Sequence, residues 1–125
     1  MTDINRHDSG EIFLAVEKPS RYTGGEVNAV QKADTAGLLR FALAFPDAYE
    51  VGMSHLGLQV LYSILNDLPE VACERVYAPW PDMERELRQR DLTLCSLETQ
   101  RPLAAFDIVG FSLQYELSYT NVLMM

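Results

Sequence analysis

Two short stretches of the chain hold side chains able to do chemistry. Between Pro46 and His55 lie Asp47, Tyr49, Glu50, Ser54 and His55, with Gly52 among them. Between Ser112 and Glu116 lie the Ser112 hydroxyl and the Gln114 amide. Asp47 and Glu50 have the types for proton exchange, although solvated loop carboxylates are the commoner use of such residues. No second His or Cys stands near His55, so it reads as a capping or surface residue near a helix start rather than a metal ligand. Ser54 reads as the helix cap itself. Ser112 sits in no Gly-x-Ser-x-Gly elbow and has no recognisable base, which excludes a serine nucleophile. Taken together, the two stretches read as a ligand site with no catalytic residue.

The surrounding pattern says how they are positioned. Leu38 to Phe45 is an almost continuous apolar run ending at Pro46, as suits a strand covered on both faces of a parallel sheet. Leu61, Ile64, Leu65 and Leu68 then mark one face of a helix that ends by Pro69. Ala72 to Ala78 predicts a second strand. Pro81 and Asp82 open a helix with Met83 and Leu87 inward and Glu84–Arg88 and Glu86–Arg90 paired outside. Leu92 to Cys95 predicts a short strand, Asp107 to Leu113 a stronger one, and Tyr115 onward a helix. Trp80, between Pro79 and Pro81, reads as a lid on the core or as cover for a flat ligand. Met1 to Gly10 reads as a loose tail, Glu11 to Lys18 as a short helix or strand, and Gly24-Gly25 as a tight turn requiring positive φ.

This is the order of an α/β fold, Rossmann-like, with a mostly parallel sheet and helices on both faces. Residues 1–20 are expected to form an N-terminal extension and 21–125 the domain proper. A strand order of 2-1-3 about the Leu38–Phe45 strand follows from doubly wound precedent. Ligands of such sheets bind beyond the strands' carboxyl ends, where both polar stretches fall. The last residues, Leu123-Met124-Met125, break off inside an apolar helix, so a domain truncated at its C-terminus is expected.

Bulk properties exclude several classes. Eighteen acidic residues against ten basic ones leave a net charge of -8, which repels nucleic acid. Neither a signal peptide nor a membrane-length apolar stretch occurs, so a cytoplasmic protein is expected. Cys73 and Cys95 are expected to be a buried reduced pair, too few for a cluster or a four-thiolate zinc site. No phosphate-binding glycine motif is present, which argues against a nucleotide or flavin protein.

Five runs go beyond generic patterning: Tyr22 to Asn28, Phe41 to Asp47, Gly52 to Gly57, Ala78 to Met83 and Phe106 to Leu117. Over roughly residues 20 to 125 the chain resembles the N-terminal region of a family of radical S-adenosylmethionine proteins described as iron–sulfur oxidoreductases. The resemblance implies a cobalamin-binding-like domain joined to a radical barrel, its partner in the full protein. The barrel would carry the [4Fe–4S] cluster and S-adenosylmethionine through a Cys-x-x-x-Cys-x-x-Cys motif absent here, so no activity is expected of this chain alone. It implies a cofactor site at Asp47, Tyr49, Gly52, Ser54, His55, Ser112 and Gln114. One class of cobalamin domains has Asp-x-His-x-x-Gly after its first strand, the His lying beneath cobalt. Here Asp47 and Gly52 are kept and Tyr49 takes the His position. A phenol with a reference pKa of about 10 is a poorer neutral donor than an imidazole of about 6.5. Two expectations follow: a domain holding cobalamin, or a cofactor-free module for substrate gating or subunit contact, with self-association through an exposed sheet edge.

Overall fold

The computed structural model describes residues 6–125, and their side chains from Gly10 onward. Its centre is a three-stranded, all-parallel sheet of β1 (Leu39–Phe45), β2 (Val71–Tyr77) and β3 (Ile108–Phe111), in the order β2-β1-β3. The apolar run Leu38 to Phe45 is therefore the central strand. Phe41 pairs with Cys73 on one side and Ile108 on the other, and Phe45 pairs with Tyr77. Asp107 sets the β3 register: its N–H donates to Arg40 O (3.0 Å), and its carboxylate accepts the Arg40 N–H (2.7 Å).

Alternation along the strands divides the core in two. Leu43, Phe45, Cys73 and Tyr77 face α2 (Tyr49–Met53) and α3 (Leu56–Asp67), where Leu58 and Tyr62 are buried. Ala42, Ala44 and Val76 form the other face, under Leu94, Leu103, Phe106 and Met125. Burying one such leucine as fully as Leu58 contributes about 2 kcal/mol. The helices α4 (Pro81–Gln89) and α5 (Tyr119–Met124) complete this side, α5 being entered through a 3-10 turn at Glu116–Ser118. Met83 and Leu87 are buried, and the Glu84–Arg88 and Glu86–Arg90 pairs form as the spacing predicts.

Four expectations are corrected. Leu92 to Cys95 is not a strand; it holds only isolated bridge residues, Cys95 pairing antiparallel with Pro102. Both flanks of β1 are already taken, so Leu92 and Leu94 pack as loop side chains instead. The buried face of α3 is Leu58, Tyr62 and Leu65, whereas Leu61, Ile64 and Leu68 are exposed. That helix is apolar almost all round, so periodicity could not select its phase. Arg6 to Gly10 lies in a helix, α1 (Arg6–Leu14), rather than a tail, and Ile12 and Val16 pack on Met83, Leu87 and Leu92; Met1 to Asn5 lie outside the described residues. Cys73 is buried, which raises its thiol to about 12, but Cys95 is only half-buried.

The outer edge of β2 is shut by side chains. Asn66 donates to Cys73 O and accepts the Cys73 N–H, both at 3.0 Å. Glu98 accepts the Arg75 N–H (2.7 Å), Leu97 N–H donates to Arg75 O (2.8 Å), and Lys32 donates to Val71 O (2.5 Å). The Arg75 side chain is fully buried, with Nε donating to Glu98 (2.7 Å) and Nη1 to Gln59 (2.9 Å) and Asn28 (3.2 Å). Its guanidinium lies 4.1 Å over the Tyr62 ring. Beside it, buried Glu74 accepts from Ser96 (2.5 Å) and Thr99 (2.7 Å). No helix among the described residues is long and apolar enough to cross a membrane.

Candidate functional site

β1 and β3 end side by side, Ala44 opposite Phe111, and the chain leaves them in different directions. From β1 it runs through α2 and α3 to β2; from β3 it runs into α5. This is the switch point at which open α/β sheets hold ligands. Asn121 of α5 closes the junction by donating to Pro46 O (2.9 Å), and Ser112 N–H donates to Ala44 O (3.0 Å). A cleft of about 290 Å³ opens here, lined among others by Asp47, Ala48, Trp80, Glu84, Asn121 and Met124.

Of the seven residues expected at a site, only Asp47 lines this cleft. Its Oδ1 accepts the N–H of the next residue, Ala48 (2.7 Å), which is the N-cap residue of α2. Tyr49 turns away, onto the α3 face of the sheet. Its hydroxyl donates to Glu26 (2.5 Å) and its ring meets Tyr77 edge-on at 5.7 Å. Burial, then the Glu26 carboxylate, pushes the phenol up to about 12. Gly52 is buried because Tyr77 crosses it: a Cβ there would lie 2.1 Å from Tyr77 Cε1.

Ser54 is not the helix cap. Its hydroxyl donates back to Glu50 O (2.7 Å), while His55 is the N-cap of α3 and accepts the Leu58 N–H on Nδ1 (3.1 Å). The preceding α2 explains this: Ser54 still stacks on a helical turn, so the cap falls one residue later. The His55 ring rests 5.2 Å from Phe45. At the β3 end, Ser112 accepts from Gln114 (2.8 Å), so these two satisfy each other.

Trp80, Glu84 and Asn121 form the cleft's remaining wall. Trp80 is 41% exposed rather than a core lid, and the Arg21 guanidinium stacks 4.0 Å above its ring. Glu84 and Asn121 carry no motif; the only signal for Asn121 is an amide in an otherwise apolar helix following a strand end.

A strap, residues 17–32, crosses the neighbouring loops. Glu17 N–H donates to Asp82 (2.8 Å), Lys18 and Arg21 donate to Glu50 (3.0 and 2.8 Å), and Trp80 N–H donates to Tyr22 (3.1 Å). Gly24 and Gly25 have φ of 70° and 83°, the tight turn expected, and a Cβ on Gly24 would strike Leu97 O. Arg21 above all holds the Glu50 carboxyl down to about 2. A carboxyl lowered on folding stabilises the native state above its unfolded value of about 4.3, and that contribution is lost as pH falls toward the folded value. The Trp80 emission should therefore shift between about pH 4.3 and 2 as the strap loosens, and the shift should be smaller in Glu50→Gln. The pair is partly exposed, so the effect is about 0.5–1 kcal/mol at most.

Cobalt asks for a neutral nitrogen donor in reach of the cleft. Tyr49 is committed to Glu26 and His55 Nδ1 to the α3 cap, so this donor set does not fit an axial ligand to cobalt. Among the described residues no group of three or more His, Cys, Asp or Glu is placed to hold a metal ion.

A family model described as radical SAM proteins, N-terminal, matches residues 57–125, from α3 to the end of α5 and beyond. No curated protein and no solved structure matches the chain.

Proposed function

Because the chain belongs to the radical SAM proteins, as their N-terminal region, we propose that it is a non-catalytic accessory domain that shapes and gates access to the site of radical chemistry without a cofactor of its own. The observation that carries this reading is the commitment of Tyr49 and His55 to contacts inside the fold. Their polar atoms hold the strap and start α3, leaving the strand ends a shaped wall rather than a ligand set. The cleft of Asp47, Trp80, Glu84 and Asn121 would be the part of the wall that meets substrate or the neighbouring domain. The [4Fe–4S] cluster and S-adenosylmethionine would be held by other residues of the parent protein, since Cys73 and Cys95 are too few to ligate a cluster. A cytoplasmic location accords with reduced thiols and the acidic surface.

A second reading keeps cobalamin, held at the β1/β3 switch with no protein ligand to cobalt. The position of the cleft favours it, because that is where doubly wound sheets take their cofactors. Equilibrium dialysis of the folded domain against hydroxocobalamin separates the two. The accessory reading predicts no saturable retention; stoichiometric retention that survives desalting would overturn it in favour of the second.

A further inference from the structure

Trp80 lies between Pro79 and Pro81, so its backbone is stiff and its own N–H, donated to Tyr22, is the only backbone donor of the three residues. What remains to be set is the indole ring, and the strap sets it. The Arg21 guanidinium stacks 4.0 Å above the ring while its Nε donates to Glu50 at 2.8 Å. A planar guanidinium suits both contacts, pairing with a carboxylate along its edge and with an aromatic ring across its face. Glu50 belongs to α2, which follows β1, and Trp80 caps α4, which follows β2. Arg21 thus ties together the two loops that wall the strand-end cleft.

The strap's own hold on the domain is polar. Ile12 and Val16 are buried and anchor α1, but no residue from 17 to 32 is buried. Residues 17–25 are held by the bonds to Asp82, Glu50 and Trp80 and by Gln100, whose amide donates to Tyr22 O at 2.7 Å. Beneath them, Arg21 and Tyr22 line an apolar cavity of about 40 Å³ together with Ile12, Met83, Leu94 and Leu97. That cavity is on the strap's inner side, so the loose packing there does not depend on what lies outside the strap. Segments held by polar ties over few buried contacts open locally, at less cost than global unfolding.

We propose that residues 17–25 are a latch on the cleft. Arg21 is its catch, a positioning residue that fixes the Trp80 ring in the cleft wall, and lifting the strap frees that ring. The latch deepens the gating reading and rests on it for its purpose. It is tested without any ligand, so its failure would leave that reading standing.

Trp80 is the only tryptophan of the chain, so fluorescence reports this ring alone. Arg21→Gln should raise acrylamide quenching of Trp80 and lower its anisotropy, with an unchanged far-ultraviolet spectrum. Arg21→Lys keeps the charge for Glu50 but not the planar stack, and should fall between the two. Arg85→Gln, which removes an exposed arginine from α4, should leave both readings as in the wild type. Hydrogen exchange tests the lifting itself. The Glu17 and Trp80 amides should open together, less protected than those of β1 and with a weaker dependence on denaturant. Both should exchange about fivefold faster in Arg21→Gln, the effect of losing one cation–π contact. Glu17 and Trp80 amides that open only with global unfolding would overturn the proposal. A Trp80 ring equally shielded in the wild type and Arg21→Gln would overturn it as well.

Discussion

Glu98→Ala is expected to lower the stability of the fold by about 3–5 kcal/mol, the cost of leaving a buried cation without its partner. The Arg75 side chain is wholly buried, and Glu98 meets both its Nε and its backbone N–H. Removing the carboxylate strands a guanidinium and a backbone donor together, with Gln59, Asn28 and the Tyr62 ring as the remaining contacts. Urea unfolding should show the midpoint falling with an unchanged slope. Replacing both partners by apolar residues, Arg75→Met with Glu98→Leu, should recover the part of the loss that comes from the unpaired charge but not the part from the Arg75 backbone N–H, which still lacks its acceptor. A Glu98→Ala protein as stable as wild type would mean that the pair is hydrated and the β2 edge open.

Gly52→Ala is expected to cost about 2–3 kcal/mol through overpacking. The added methyl would lie 2.1 Å from Tyr77 Cε1, and that ring has little room to retreat. Tyr49 meets it edge-on at 5.7 Å, and the Tyr77 hydroxyl donates to Met53 Sδ at 3.0 Å. Thermal unfolding of Gly52→Ala, compared with Gly52→Ala combined with Tyr77→Leu, tests the cause. On this account the second change relieves the first. If Gly52 were instead a close-approach point for a ligand, the stability loss would be small and Tyr77→Leu would bring no recovery.

The framework was legible because its signals are strong and local. A nearly unbroken apolar run of strand length ending at a proline suits a strand covered on both faces, and Leu39–Phe45 is the centre of the sheet. Pro81 with Asp82 marked the start of α4, and the two Glu–Arg spacings marked its wet face. The phase of α3 was not legible, since Leu56 to Leu65 offers apolar residues in every direction and only the sheet decides between them. The site was half legible. The strand-end position followed from topology, but the direction of each side chain did not. Tyr49 looks outward in the Asp47–Gly52 pattern, yet Glu26, far back in the strap, holds it inside. His55 and Ser54 exchanged roles because α2, a single short helical turn, shifts the cap by one residue. The Arg75–Glu98 pair escaped notice for a related reason: charged residues within a strand read as exposure until another segment covers them.

The commitment of Tyr49 and His55 to the interior is the central claim, and NMR of both rings during a hydroxocobalamin titration tests it most directly. The account predicts that His55 Nδ1 keeps accepting the Leu58 N–H and that the ring shifts of both residues stay fixed as cobalamin is added. Saturable movement of either ring's resonances, accompanied by a shifted corrin absorption band, would contradict it and put a protein ligand beneath cobalt.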